Sequence, residues 1–200
     1  MTLRSLLFFW VFIVAFSVSG QSDTSPSASF RNFPLMVSVK FQNLAMPFQD
    51  LKGNFMNIGV GLGTEVSWNK SEHWTQQFNI MYFFNRGSGN GFSVYSQMLW
   101  RPALYADVLG GIKGGIGYTW LFKPNPSMKN MDGQWSPASR TKGMLSVPFG
   151  VYLSWNELDA ETYLSSYLAY DVFLHSGFNA DVPVIPNTFF EAGIGMYFKE

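Results

Sequence analysis

The stretch Met56-Asn57-Ile58-Gly59-Val60-Gly61-Leu62-Gly63-Thr64-Glu65-Val66-Ser67-Trp68 decides the fold of this 200-residue chain. Every second residue from Met56 to Trp68 is uncharged and mostly bulky, whereas the residues between them are small or polar. Side chains alternate across a strand, so the segment has one apolar face and one sparse polar face. About eight such segments lie between Leu35 and Phe198, and in each the charged residues occupy a single register. We therefore predict a sheet with one apolar face throughout.

The alternating segments predict eight strands, most of them as long as the roughly 9 to 11 tilted residues that cross a bilayer. They are Leu35–Gln42, Phe55–Trp68, Trp74–Asn85, Gly91–Arg101, Leu104–Phe122, Met144–Asn156, Thr162–His175 and Thr188–Phe198. The connections alternate between long and short, as in outer-membrane barrels with long external loops and short periplasmic turns. The chain is thus predicted to be all-β, an eight-stranded antiparallel transmembrane up-and-down β-barrel with both termini in the periplasm.

Aromatic residues support the same orientation. The apolar register places four indole rings beside the short turns, namely Trp68, Trp74, Trp100 and Trp155. Amphipathic indoles collect at the membrane interface, so they predict one edge of a lipid-facing band. The opposite girdle is predicted from Tyr82, Phe84, Phe92, Trp120, Phe122 and Phe190.

A water-soluble barrel of the lipocalin type is the alternative fold, because such a barrel turns its apolar row inward. The apolar row here carries more Trp, Phe, Leu and Met than a small eight-stranded interior holds, while the other row is rich in glycine. The lipid-facing interpretation is therefore favoured. Two features disturb the pattern: Pro148 lies within strand six, and Gly110 and Gly114 predict a bulge or extension in strand five.

The beginning of the chain and its composition predict an exported protein. Residues 1–20 have the positive, apolar and small-residue regions of a secretory signal peptide, and residues 21–34 would form a periplasmic N-terminal segment before the barrel at 35–200. The chain has no cysteine, which excludes disulfides and a lipidated N-terminal cysteine. After loss of Arg4 with the signal, 12 basic residues face 13 acidic ones, which gives no case for nucleic-acid binding. We expect a monomer.

The polar register predicts a charged lumen. Its members are Lys40, Glu65, Asp107, Lys113, Asp171 and Glu191, which must pair because an isolated buried charge is costly. Strands one, seven and eight adjoin where the barrel closes, so Lys40, Asp171, His175 and Glu191 are expected together near the extracellular mouth.

Two interpretations of this cluster remain open. In one, His175 and carboxylates such as Glu191 form an acid–base site with Ser176 as nucleophile. In the other, the charges form a salt-bridge network that fills a narrow barrel. Ser176 follows His175 directly, so the two would point to opposite faces unless the chain turns locally. No metal-ligand spacing is present, and no cofactor is expected.

The connection Lys123–Gly143 is the candidate for partner contact. It contains an isolated Trp135 and the basic residues Lys129, Arg140 and Lys142 beside Lys123. A basic loop could contact anionic lipopolysaccharide, or it could be an ordinary solvated loop.

The Ser19-Gly20-Gln21 junction and the ending from Val182 to Phe198 resemble those of small outer-membrane β-barrel proteins of Gram-negative bacteria, in particular the Bacteroidota. That resemblance implies a final strand recognised by the barrel assembly machinery. A narrower resemblance is to the lipid A deacylases, which implies His175, Ser176 and Glu191 as catalytic residues. The expected function is an integral, non-enzymatic outer-membrane barrel whose loops bind a partner or envelope component. The alternatives are a lipid A-modifying hydrolase and a small-solute pore.

Overall fold

The computed structural model describes residues 33–43, 55–69, 73–105, 108–124, 128–131, 134–137, 139–156, 162–177 and 182–198. The predicted signal peptide and most of the segment 21–34 lie outside this part of the chain. Within it, no helix is long and apolar enough to cross a membrane.

Eight long antiparallel strands close into one barrel. They are β1 (Leu35–Asn43), β2 (Ile58–Ser67), β3 (Trp74–Phe83), β4 (Asn90–Trp100), β6 (Val108–Phe122), β9 (Thr141–Asn156), β10 (Thr162–Ser176) and β11 (Val184–Phe198). The long strands that are neighbours in the chain pair with one another, and β1 pairs with β11 to close the ring. The predicted eight-stranded up-and-down barrel is confirmed.

Three short strands modify the prediction. The predicted strand Leu104–Phe122 is divided into β5 (Ala103–Tyr105) and β6, with a register shift where β5 pairs with β6. Leu104 of β5 covers the outward face of Gly110, which has no side chain of its own. The loop after β6, for which no strand is predicted, contains a hairpin of β7 (Met128–Met131) and β8 (Gln134–Pro137).

Pro148 interrupts one ladder without changing its register. On the β10 side it is paired opposite Phe173, whereas the β6–β9 pairing stops after Gly114–Phe149 and resumes at Gly117–Ser146. Proline has no N–H to donate, so the ladder that loses its pairs is the one facing β6.

The barrel has its apolar residues outside and its polar residues inside. Ile58, Val60 and Leu62 on the outer face of β2 are each about half exposed (51%, 55% and 49%), whereas Glu65 of the alternate row is 1% exposed. The four tryptophans beside the short turns are all exposed on the outer face. Phe84 and Phe122 of the predicted opposite girdle are exposed as well, and its other four members are half-buried.

Candidate functional site

A buried ion pair lies at the short-turn end of the lumen. Arg101 contacts both carboxylate oxygens of Glu65, at 2.7 Å and 3.3 Å, in a bidentate geometry. The Tyr197 hydroxyl donates to Glu65 at 2.6 Å, and the Gln77 amide donates to it at 3.2 Å. Arg101 is not among the lumen residues predicted from the sequence, although its place one residue after the outward Trp100 makes it inward-facing.

Four of the predicted lumen charges form one balanced cluster at mid-height. The Lys40 ammonium lies 2.6 Å from Glu191, and the Lys113 ammonium bridges Asp171 at 2.8 Å and Glu191 at 3.4 Å. These side chains are almost fully buried, and two positive charges match two negative ones. Glu65 is not in this cluster, and Asp107 lies outside the described residues.

An aromatic layer lies above the charged cluster, toward the long loops. Phe83, Phe173 and Phe189 are buried and pack edge to face, with ring centroids 4.9 Å and 5.4 Å apart. Phe173 occupies the inward position between Asp171 and His175 on β10, so it separates the two. The expected grouping of His175 with Lys40, Asp171 and Glu191 is therefore wrong. Alternation determines that all four side chains face the lumen, but it does not determine their heights along the barrel axis.

His175 instead belongs to a chain of hydrogen bonds around the inner wall, which we call the polar belt. The belt runs through Asn85, Gln42, Asn187, His175, Ser146, Thr119 and Ser93, which come from seven of the eight long strands or their ends. The Ser146 hydroxyl lies 2.8 Å from His175 Nδ1, and Asn187 Nδ2 lies 3.5 Å from His175 Nε2. Sequence reasoning missed the belt because its members are neutral and far apart along the chain.

Backbone donors fix the direction of the belt. The amides of Gly87 and Ser88 donate to Asn85 Oδ1 at 2.8 Å and 2.9 Å, so the Asn85 amide nitrogen must donate onward to Gln42. Gln42 then donates to Asn187, whose own amide nitrogen faces His175 Nε2.

That direction assigns the histidine tautomer. Because Asn187 presents its amide nitrogen to Nε2, we infer that Nε2 accepts, that the ring proton is on Nδ1, and that His175 donates to Ser146. The Ser146 hydroxyl also lies 2.8 Å from the Thr119 hydroxyl. A histidine that donates to a serine cannot take that serine's proton, so the Ser146–His175 pair is not arranged as a nucleophile and its base.

Ser176 is not placed to act with His175. His175 is 1% exposed and faces inward, whereas Ser176 is exposed on the opposite face of β10. The strand continues regularly through both residues, with Ser176 paired opposite Val184, so no local turn brings them together. Glu191 is occupied by Lys40, Lys113 and the Tyr167 hydroxyl. The structure thus does not assemble the predicted His175–Ser176–Glu191 site.

A cavity of about 310 Å³ lies against the belt at the long-loop end. Its lining includes His175, Thr119 and Asn187 of the belt, together with the apolar side chains of Leu121 and Met144. Lys123 also lines it, from the loop side.

The charged side chains described at the long-loop end are all basic. Arg86 and Arg140 are exposed there, and Lys123 and Lys142 are partly exposed. Lys129 lies in β7 and Trp135 in β8, but the placement of their side chains is outside what the structure describes. Among the described residues, no group of three or more His, Asp or Glu side chains could hold a metal ion.

No family model matches the chain, and no curated protein matches it. Among solved structures, it is similar to Neisserial surface protein A (NspA), with a TM-score of 0.55 and 11% identity over 83% of this chain and 97% of that one. It also matches the N-terminal β-barrel domain of Pseudomonas aeruginosa OprF (TM-score 0.44, 8% identity, 82% and 97% coverage). A third match is Ail, the attachment invasion locus protein of Yersinia pestis (TM-score 0.44, 13% identity, 84% and 98% coverage). The likeness to NspA shows the fold, a small closed barrel of the outer-membrane type.

Proposed function

We propose that this chain is an integral, non-enzymatic outer-membrane barrel whose long-loop end binds an anionic component of the cell envelope, with lipopolysaccharide as the first candidate. The proposal is carried by two features together: the apolar outer face of the barrel, and the opposite net charge of its two ends. The exposed apolar band of the strands requires a lipid environment, because a soluble monomer rarely exposes apolar patches of this extent.

The two ends of the barrel carry opposite charge. The four long connections contain Lys52, Arg86, Lys123, Lys129 and Arg140 against Asp50, Asp132 and Asp181. The three short connections contain Glu72, Asp107, Glu157, Asp159 and Glu161 against Lys70 and Arg101, and Arg101 is neutralised inside the lumen. Basic residues near an anionic membrane surface contribute about 1 kcal/mol each, so the long-loop end suits a surface rich in phosphate.

The filled lumen argues against a pore. Two ion-pair layers, an aromatic layer and the polar belt occupy the interior at successive heights. Eight strands enclose a space that side chains can fill, and here they do so. We expect no steady ion current from the purified protein in planar bilayers.

The hydrolase alternative is disfavoured by the tautomer of His175 and by the outward position of Ser176. A lipid A deacylase needs a base that accepts the proton of its nucleophile, whereas His175 in the inferred tautomer donates to Ser146 and Ser176 faces away from it. An unchanged lipid A mass spectrum in cells with and without the protein is the expected result.

Single-cysteine labelling tests the proposed location and orientation, since the chain has no native cysteine. Ser139→Cys lies on the long-loop side and His73→Cys in a short turn. A membrane-impermeant maleimide applied to intact cells should label only the Ser139→Cys protein, and His73→Cys should react after the outer membrane is permeabilised. Labelling of both, or of His73→Cys alone, would contradict the proposed placement.

Lipopolysaccharide binding is tested with the protein in lipid nanodiscs. Loss of two cations in Arg86→Gln/Arg140→Gln should weaken binding about tenfold or more, and added salt should weaken binding by the wild type. Lys70→Gln, which removes a positive charge from the opposite end, is the matched control and should leave the affinity unchanged. Equal binding by all three proteins would refute a role for the basic loop end.

A further inference from the structure

The cavity at the long-loop end has the size and lining of a small-molecule site. Its volume of about 310 Å³ lies at the lower limit of ordinary ligand pockets, roughly 300–1,000 Å³. It is walled by Phe83, Leu121, Met144 and Ile185, and its inner side meets the polar belt.

The residues of the polar belt that line the cavity already use their side-chain polar atoms in hydrogen bonds to one another or to other members of the belt. His175 uses both ring nitrogens, to Ser146 and Asn187, and Thr119 bonds Ser93 and Ser146. The inner end of the cavity therefore offers mainly carbon surface, which suits an apolar group.

Charge favours an anion at the outer end of the cavity. Lys123 lines it on the loop side, and the other charged side chains described nearby, Arg86, Arg140 and Lys142, are also basic. No acidic side chain in the described part of this end would oppose an anionic group.

The barrel wall is continuous at the level of the cavity. Leu121 is paired with Gly91, Thr119 with Met144, and His175 with Ile185. The interruption at Pro148 lies further toward the short turns. An acyl chain of a membrane lipid thus has no lateral entry, and a ligand must enter from the loop side.

We propose that this cavity binds a small, free, single-chain anionic amphiphile of the fatty-acid class, with its chain inward and its carboxylate toward Lys123. The size of the cavity limits the ligand to a short chain, and the closed wall selects a free molecule over a lipid of the surrounding bilayer. This site is distinct from the exposed basic surface proposed to contact lipopolysaccharide.

Calorimetric titration of the full protein in lipid nanodiscs with octanoate tests the proposal, with empty nanodiscs as the reference for partition into lipid. Octanoate should bind the protein saturably, and octylammonium, which has the same chain and the opposite charge, should bind at least about tenfold more weakly. Heat no greater than that of empty nanodiscs, or equal binding of both amphiphiles, would overturn the proposal.

Two variants fill the cavity from different walls. Leu121→Trp and Met144→Trp should each abolish octanoate binding, whereas Leu145→Trp, on the outer face of β9, should bind like the wild type. Each is first checked for a heat-dependent shift on gel electrophoresis, so that a variant that fails to fold is replaced by the other. Folded, filled variants that still bind octanoate would overturn the assignment of the site.

Lys123→Gln tests the proposed orientation of the ligand. It should weaken octanoate binding about two- to fivefold, the range of a partly exposed ion pair, and leave octylammonium no weaker. Lys70→Gln removes a positive charge from the short connections at the opposite end of the barrel and should leave octanoate binding unchanged. An equal effect of the two substitutions would show that general charge, not contact with Lys123, attracts the carboxylate.

Discussion

Replacement of Lys113 by methionine is expected to destabilise the barrel strongly. Lys113 is the only cation within 4 Å of Asp171 among the described residues, and it shares Glu191 with Lys40. In Lys113→Met, Glu191 keeps Lys40 and the Tyr167 hydroxyl, but among the described residues the fully buried Asp171 carboxylate keeps only the Gln97 amide at 3.3 Å.

The size of the effect follows from the two distances. At an effective dielectric constant of about 20, contacts of 2.8 Å and 3.4 Å are each worth about 5 to 6 kcal/mol before desolvation is subtracted. Desolvation of the ions offsets much of this, so the loss of one buried partner costs about 3–5 kcal/mol. The double variant Lys113→Met/Asp171→Asn removes one charge of each sign and should recover to within about 1–2 kcal/mol of the wild type.

Urea unfolding of the protein in lipid vesicles measures these free energies, because the exposed tryptophans report departure from lipid by their fluorescence. Ile112→Val is the control, since Ile112 is the preceding residue of β6 and faces outward, 59% exposed; it should cost less than about 0.5 kcal/mol. A cost of Lys113→Met below about 1 kcal/mol would refute the reasoning. The reasoning would also be refuted if the double variant lost as much free energy of unfolding as the two single variants together.

Three further results are expected. Gly115→Ala should lower the free energy of unfolding by about 1–3 kcal/mol, because its new methyl would lie 1.9 Å from a backbone oxygen. The methyl of Gly114→Ala would lie 4.0 Å from the Pro148 carbonyl oxygen, an ordinary contact, and should change the free energy by less than about 1 kcal/mol in the same urea titration. Arg101→Met should lower the free energy of unfolding by about 3–5 kcal/mol, because it leaves the buried Glu65 carboxylate without its cation. Adding Glu65→Gln to this variant should restore most of that free energy, and no recovery would contradict a structural role for the ion pair. Nitrogen NMR of ring-labelled protein should show a neutral His175 with its proton on Nδ1, and a proton on Nε2 would reverse the assigned direction of the belt.

Alternation alone was enough to predict which face each strand residue occupies. It predicted that Trp68, Trp74, Trp100 and Trp155 face outward, and the structure shows them exposed there. The prediction is robust because a shift of one residue would move every apolar side chain of a strand to the other face. The same rule extended to position 101 would have found the inward arginine.

Height inside the barrel was not predictable in the same way. The height of one residue relative to another depends on the stagger between strands, which loop lengths and ladder pairing set together. His175 shares a face with Asp171, yet its partner Ser146 is set by the β9–β10 register. The hairpin β7–β8 was missed for a related reason, since its strands are four residues each and carry no clear alternation.

The polar belt has a mechanical consequence for the mouth of the barrel. It ties seven strands or strand ends together through side chains, in addition to the ladders between neighbouring backbones, and so forms an open chain of hydrogen bonds around most of the rim. We expect this chain to limit how far a change in a loop disturbs the charged layers beneath it. We therefore expect that long connections can be replaced by foreign sequences with little change to the barrel, provided that Asn85, just after β3, and Asn187, near the start of β11, are kept.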